Sequence, residues 1–118
     1  METILDELKE WGCDIEGAMA RFLDDTELYL TCLDTVVTDS AFVKLGEALA
    51  ERDVKVAFDS AHTLKGVFAN MGLTPMLRIV ECIVEPLRDG IIDDLMNDYH
   101  KLLEMNEFLK DILERNDH

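Results

Sequence analysis

Hydrophobic positions along the chain recur every three or four residues, and short breaks separate the segments that carry them. This spacing places the apolar side chains on one side of a helix, whereas a half-buried strand would need an apolar residue at every second position. No segment of the sequence keeps the alternation of a strand. With only 2 prolines and 6 glycines to interrupt it, the chain is predicted to be all-α.

The amino-terminal third contains three short helical segments with recognisable ends. "ILDELKEWG" ends at Gly12, and Asp14 can cap "IEGAMARFL". Asp24 and Glu27 resemble a capping box ahead of "LYLTCLDTVV". The apolar positions expected on one side of the second segment are Ile15, Met19, Phe22 and Leu23. We expect these helices, up to about residue 38, to pack over one end of the remaining structure.

Four longer helices follow, each bounded by residues typical of helix ends. The predicted bounds are a cap at Asp39 or Ser40 for the first, Asp53 to Gly72 for the second, Thr74 to Gly90 for the third, and Asp93 to about Arg115 for the fourth. Their short links favour an antiparallel up-down four-helix bundle over about residues 39–115. Together with the amino-terminal helices it would form a single domain spanning residues 1–118.

The balance of charge narrows the choice of partners. The 118 residues include 26 acidic and 11 basic side chains, which gives a formal net charge of −15. Such a chain is repelled by nucleic acids and by anionic membranes, so neither is expected to bind it. Repulsion between copies also favours a monomer. A partner with a basic or mixed rim fits this charge, although an acidic surface also serves solubility alone.

The cysteines and the amino terminus indicate the compartment. Cys13, Cys32 and Cys82 are widely spaced and form no C-x-x-C pair or Cys/His cluster, so we expect buried, reduced thiols. The start, "METILDELKE", lacks the basic and apolar regions of a signal peptide. No apolar run approaches the roughly 20 residues that span a bilayer. A cytoplasmic protein is therefore expected.

The second long helix carries the most distinctive chemistry. At about 100° per residue, its apolar positions fall on one side, and His62 points almost directly away from them. The residues on the same side as His62 are Lys55, Phe58, Asp59, Lys65, Gly66 and Ala69. His62 is therefore predicted to face solvent.

These neighbours suit a phosphoryl group. Imidazole is a nucleophile near neutral pH, and Lys65, one turn further on, could reach a phosphoryl group bound to the ring. Gly66 costs about 1 kcal/mol relative to alanine inside a helix, and open access to His62 is a plausible compensation. The residues alone indicate a docking surface with a nucleophile, and a surface histidine without function remains the alternative. His100 and His118 lack such neighbours, and we assign them no role.

The sequence "AHTLKG" at residues 61–66 strongly resembles the motif of histidine-containing phosphotransfer (HPt) domains. The similarity extends to "WGCDIEGAMARFLDDTELYLTCL" and to "LAERDVKVAFDSAHTLKGVFANMGL", and so covers nearly the whole chain. The resemblance implies a four-helix bundle with extra amino-terminal helices. It also implies that His62 accepts a phosphoryl group from an aspartyl phosphate and passes it to another receiver domain, with Lys65 stabilising the phosphate charge and Gly66 leaving room for the receiver.

The resemblance also implies the partners and cofactors. Response-regulator receiver domains and a hybrid sensor kinase would bind the chain, and the receiver would supply Mg²⁺, so no cofactor is expected on this chain. A glycine-rich nucleotide loop is absent from the sequence, so we expect a phosphotransfer intermediate and not an ATP-dependent kinase. The residues expected to contact the receiver are Lys55, Phe58, Asp59, Ala69 and Asn70.

The sequence also allows three other interpretations. A metal site could use Asp59 and His62, but a di-iron bundle needs a second acidic-x-x-His motif, and Asn97 stands at that offset before His100. An adaptor could bind a receiver or kinase through the same surface without transferring phosphate. The chain could also be a piece of a hybrid kinase, although its start at Met1 and its end at His118 favour a free-standing protein.

Overall fold

The computed structural model describes residues 3–115, and these residues form helices joined by short turns, without any strand. The all-α prediction is therefore confirmed. The seven helices of the described residues are α1 (Ile4–Trp11), α2 (Ile15–Arg21), α3 (Thr26–Val36), α4 (Ala41–Glu51), α5 (Val54–Met71), α6 (Thr74–Arg88) and α7 (Met96–Arg115).

Helices α4 to α7 form the predicted four-helix bundle. α4 packs against α5, α5 against α6 and α6 against α7, and α7 returns to contact α4. Short links between successive neighbours make the arrangement antiparallel. Phe42 of α4 and Phe68 of α5 meet in the core with ring centroids 6.0 Å apart. Burial of a side chain of this size contributes about 1.5–3 kcal/mol, so the packed faces supply most of the stability.

The amino-terminal helices cover one end of this bundle. α1 packs against α7, and both α2 and α3 pack against α5. Trp11 of α1 contacts Phe108 of α7 with ring centroids 4.9 Å apart, and Arg115 Nη1 lies 3.0 Å from Glu7 Oε1. α5 and α7 run in the same direction in an up-down bundle, so their carboxyl ends meet these helices at the same end.

Some helix ends differ from the sequence expectation. Leu23 was expected on the apolar side of α2, but it lies beyond the end of that helix with φ 53° and is 88% exposed. Asp24 follows in the same left-handed conformation, so Asp25 caps α3 by accepting the Leu28 N–H at 3.0 Å. The prediction of Asp24 as the cap was therefore wrong by one residue.

The bounds of the last two helices are also shifted. Thr74 was expected to cap α6, but it is the first residue of that helix and Leu73 occupies the cap position. The N–H of Leu73 bonds back to Phe68 O of α5 at 2.9 Å. α7 begins at Met96 and not just after Asp93, because Asp94 adopts a left-handed conformation with φ 60°. At α4, Asp39 supplies the capping bond, accepting the Ala41 N–H at 2.8 Å.

The three cysteines are free thiols, as predicted, but they differ in burial. Cys13 is buried, Cys32 is half-buried and Cys82 is exposed. The expectation of a buried thiol is wrong for Cys82, because the next two residues of α6, Ile83 and Val84, are the ones turned into the core. None of the helices in residues 3–115 combines the length and the hydrophobicity needed to cross a bilayer.

Candidate functional site

α5 presents His62 on a helix that is fixed along its opposite side. The helix begins after Asp53, whose Oδ1 accepts the Val56 N–H at 3.2 Å, and ends at Gly72, which has φ 70°. Both predicted ends are confirmed. The buried side is formed by Ala57, Ser60, Ala61, Leu64, Phe68 and Met71. Since this side packs into the bundle over the whole length of α5, the backbone beneath His62 is held in place.

The carboxyl end of α5 is held by three residues from the amino-terminal part of the chain, Asp14, Arg21 and Tyr29, which we call the amino-terminal clamp. The last carbonyl groups of a helix lack partners within it, and the clamp supplies donors to those of residues 69–72. The hydrogen bonds run from Arg21 Nη2 to Ala69 O at 3.0 Å, from Arg21 Nε to Asn70 O at 2.8 Å, from Tyr29 Oη to Met71 O at 2.8 Å, and from Asp14 N to Gly72 O at 2.8 Å. The guanidinium also places positive charge at the negative end of the helix dipole.

His62 is exposed, as the projection predicted, and lies beside an aromatic ring. The ring centroids of Phe58 and His62 are 5.5 Å apart with an interplanar angle of 34°. The guanidinium carbon of Arg88, from α6, lies 5.3 Å from the centroid of the same phenylalanine ring. The imidazole is thus supported by Phe58 while remaining open to solvent and to a partner.

Lys65 forms an ion pair with Glu85, a contact that was not predicted from the sequence. Its Nζ lies 3.8 Å from Oε1 of Glu85, and Oε2 of the same carboxylate lies 3.5 Å from Nε of Arg88. Both distances exceed the 2.7–2.9 Å of a charge-assisted hydrogen bond, so these ion pairs are loose. The spacing of Glu85 and Arg88 on α6 is visible in the sequence, but which side of α6 meets α5 depends on how the two helices pack.

Gly66 leaves open space next to His62. A Cβ built on this glycine meets no atom within 4 Å, apart from its immediate neighbours and the backbone of its own helix. Packing inside the protein therefore does not require glycine here. This openness supports the expectation that Gly66 serves access from outside.

The residues predicted to contact a receiver lie on the same exposed side of α5. Lys55 and Asp59 are exposed and form an ion pair of 3.2 Å, while Phe58 is half-buried. Ala69 and Asn70 are exposed near the carboxyl end, where their carbonyl groups bind Arg21. The structure thus brings this predicted set together on one surface, and its role in binding stays a prediction.

Within residues 3–115, no three side chains of His, Cys, Asp or Glu lie together in a way that could hold a metal ion. His100 is exposed on α7, and His118 lies outside the described residues.

Comparison with known protein families identifies the class of this protein. The family model of the Hpt domain matches residues 18–115, from within α2 to the end of α7. This match covers most of the chain, so the protein belongs to the Hpt domain family, whose members act in histidine phosphotransfer in phosphorelays. The resemblance noted in the sequence is thereby confirmed. Searches of curated proteins and of solved structures returned no match.

Proposed function

We propose that this protein carries a phosphoryl group on His62 between receiver domains of a phosphorelay. The observation that carries the proposal is the exposed imidazole on a helix whose other side and carboxyl end are fixed, with Lys65 one turn away and open space above Gly66. A rigid, exposed nucleophile is what a carrier needs if its partner brings the catalytic groups.

The bonds that form and break in the transfer step belong to the His62 ring and the incoming aspartyl phosphate. The unprotonated ring nitrogen of His62 attacks phosphorus with its lone pair and forms a P–N bond. The bond between phosphorus and the aspartyl oxygen breaks, and its electron pair remains on the aspartate carboxylate. The second ring nitrogen keeps its hydrogen during the step, so no proton acceptor on this chain is needed. The reverse sequence delivers the phosphoryl group to the aspartate of another receiver.

The surrounding residues have separate roles in this proposal. Lys65 stabilises the charge of the phosphoryl group, and Gly66 leaves room for the receiver to approach. The receiver supplies Mg²⁺. The phosphorylated receiver, not ATP, is the phosphoryl donor. The docking surface around His62 consists of Lys55, Phe58, Asp59, Ala69 and Asn70. Receivers and a hybrid sensor kinase would be the partners of a monomeric, cytoplasmic chain.

The test uses a panel of receiver domains that have been phosphorylated with a small-molecule phosphodonor in the presence of Mg²⁺. Each phosphorylated receiver is mixed with the protein, and transfer of the phosphoryl group is measured. The wild-type chain should acquire an acid-labile, base-stable label, and His62→Gln should acquire none. His100→Gln is the matched control, because His100 is also exposed on a helix and should not affect labelling. Since His62 is exposed, circular dichroism should show the same helical content in all three proteins.

Two results would refute the assignment. A label that persists on the His62→Gln variant would place the acceptor elsewhere. Binding of a demonstrably charged receiver without any transfer to the wild-type chain would favour an adaptor that uses the same surface.

A further inference from the structure

Glu85 lies between two cations, Lys65 of α5 and Arg88 of α6. Its Oε1 faces Nζ of Lys65 at 3.8 Å and its Oε2 faces Nε of Arg88 at 3.5 Å. Resting on the proposed function, we infer that Glu85 is a positioning residue that limits the lifetime of phosphorylated His62. It does so by competing with the phosphoryl group for Lys65 and Arg88.

The competition follows from the charges. A phosphoryl group carries close to two negative charges near neutral pH, whereas the Glu85 carboxylate carries one. Lys65, three residues after His62 on the same helix, is within reach of either group. The Lys65 and Glu85 side chains are 31% and 59% exposed, and an ion pair this exposed is weak and readily exchanged. When His62 is phosphorylated, Lys65 therefore has to leave Glu85 to bind the phosphoryl group.

Arg88 extends the same argument to a second cation. Its guanidinium carbon lies 5.3 Å from the ring centroid of Phe58, whose centroid is 5.5 Å from that of His62. Glu85 also pairs with this guanidinium, so one carboxylate restrains both Lys65 and the cation that lies over the Phe58 ring. The effect matters in a chain with net charge −15, because the surrounding acidic field disfavours an added dianion and local cations offset it.

The experiment measures the lifetime of phosphohistidine without a partner. All proteins carry His100→Gln and His118→Gln, so that His62 is the only one of the three histidines left to label. Each protein is phosphorylated with phosphoramidate, the donor is removed, and the phosphohistidine signal is followed by phosphorus NMR near neutral pH and at low salt. In the hydrolysis, water attacks phosphorus and loses a proton to the solvent, the P–N bond breaks with its electron pair returning to the ring nitrogen, and inorganic phosphate is released.

The Glu85→Gln change should lengthen the half-life of phosphohistidine about two- to fivefold, the size expected from an exposed charge pair. Glu85→Asp keeps the charge and should give a half-life closer to that of the parent. Glu104→Gln is the matched control, because Glu104 lies on α7 in the groove beside Trp11 and Phe108 and its removal changes the net charge equally. It should leave the half-life unchanged.

Two further comparisons separate competition from a general effect on structure. In a Lys65→Gln background, Glu85→Gln should lengthen the half-life less than it does in the parent, because one of the two released cations is missing. High salt should also reduce the difference between Glu85→Gln and the parent, since exposed charges are screened. Circular dichroism should show equal helical content throughout.

The outcomes distinguish the inference from the function on which it rests. Phosphohistidine that decays equally fast in Glu85→Gln and in the parent overturns the role of Glu85 but leaves the carrier function intact. Faster decay in Glu85→Gln overturns it too, since Glu85 would then orient Lys65 toward the phosphoryl group. If neither phosphoramidate nor a charged receiver labels His62 in the parent, the carrier function fails, and the inference fails with it.

Discussion

The carboxyl end of α5 and its middle differ in how they are held. At the end, the amino-terminal clamp donates hydrogen bonds of 2.8–3.0 Å to the carbonyl groups of residues 69–72. In the middle, Lys65 and Arg88 share the exposed carboxylate of Glu85 at 3.5–3.8 Å. The short hydrogen bonds indicate a backbone held in place, whereas the long, exposed ion pairs indicate charged side chains that can change partners. A carrier needs both properties, because its acceptor must stay in place while charge arrives and leaves.

The substitution with the largest expected effect on stability removes one hydrogen bond of the amino-terminal clamp. Tyr29→Phe removes the fully buried hydroxyl that donates to Met71 O and leaves that carbonyl without this donor. We expect the free energy of unfolding to fall by about 1–3 kcal/mol, measured by urea denaturation. Amide hydrogen exchange at the end of α5, at Gly72 and Leu73, should become faster.

Tyr99→Phe is the matched control for that change. The Tyr99 hydroxyl donates to Phe42 O at 2.8 Å, which is the same kind of bond between α7 and α4. This variant should lose stability without faster exchange at the end of α5. If Tyr29→Phe leaves exchange at Gly72 and Leu73 unaltered, the clamp does not hold the helix end.

Alkaline pH should lower the free energy of unfolding through two buried groups at or next to the clamp, Cys13 and Tyr29. Burial raises the pKa of the Cys13 thiol from 9.0 to about 12, and burial also raises the pKa of Tyr29 above its ordinary value of 10.0. Between the unfolded and folded pKa values, the folded chain binds more protons than the unfolded chain. The contribution of Cys13 is therefore complete below pH 9 and is lost as the pH rises toward 12.

The expected loss is at most about 1.4 kcal/mol per pH unit for each of these groups, measured by urea unfolding at a series of pH values. The loss assigned to Tyr29 should begin near pH 10. Cys13→Ala should show a shallower fall above pH 9, because the titrating thiol is gone. An equally steep fall in this variant would mean that other groups cause the alkaline loss.

The smallest expected effect on stability comes from substitutions of Gly66, in the middle of α5. Gly66→Ala should stabilise the chain by about 1 kcal/mol, because alanine favours helix and its Cβ meets open space. Gly66→Gln should be nearly as stable as Gly66→Ala. It should accept the phosphoryl group from a phosphorylated receiver about tenfold more slowly than the wild type, because its longer side chain crowds the approach to His62. The alanine variant is the matched control for the transfer rate, and equal rates in Gly66→Gln and the wild type would remove the access argument.

Local signals in the sequence predicted α5 and its orientation well. These signals lie within the helix or next to it: the cap at Asp53, the left-handed end at Gly72 and the apolar spacing between them. They therefore fixed both ends of α5 and the exposed position of His62 without reference to the rest of the fold. The motif around His62 also led to the correct family, as the match over residues 18–115 shows.

Features that depend on tertiary packing were not predictable in the same way. Leu23 is an exception with a local cause: it follows the apolar spacing of α2, but the chain turns there and the Asp24 N–H bonds to Met19 O at 2.8 Å. The contacts of Arg21 with the end of α5 join residues 48 and 49 positions apart. The position of Glu85 beside Lys65 likewise depends on how α5 and α6 pack, which periodicity within either helix does not specify.

Amide NMR spectra of the protein before and after phosphorylation of His62 test most directly whether the end of α5 stays fixed while the charged side chains change partners. We expect shift changes on the exposed side of α5 around Lys65 and on α6 around Glu85 and Arg88. The amides of Asp14 and Leu73, which bond at the clamped end of α5, should stay unchanged. Changes of equal size at Asp14 and Leu73, or none around Glu85, would contradict the separation of a fixed backbone from exchangeable charges.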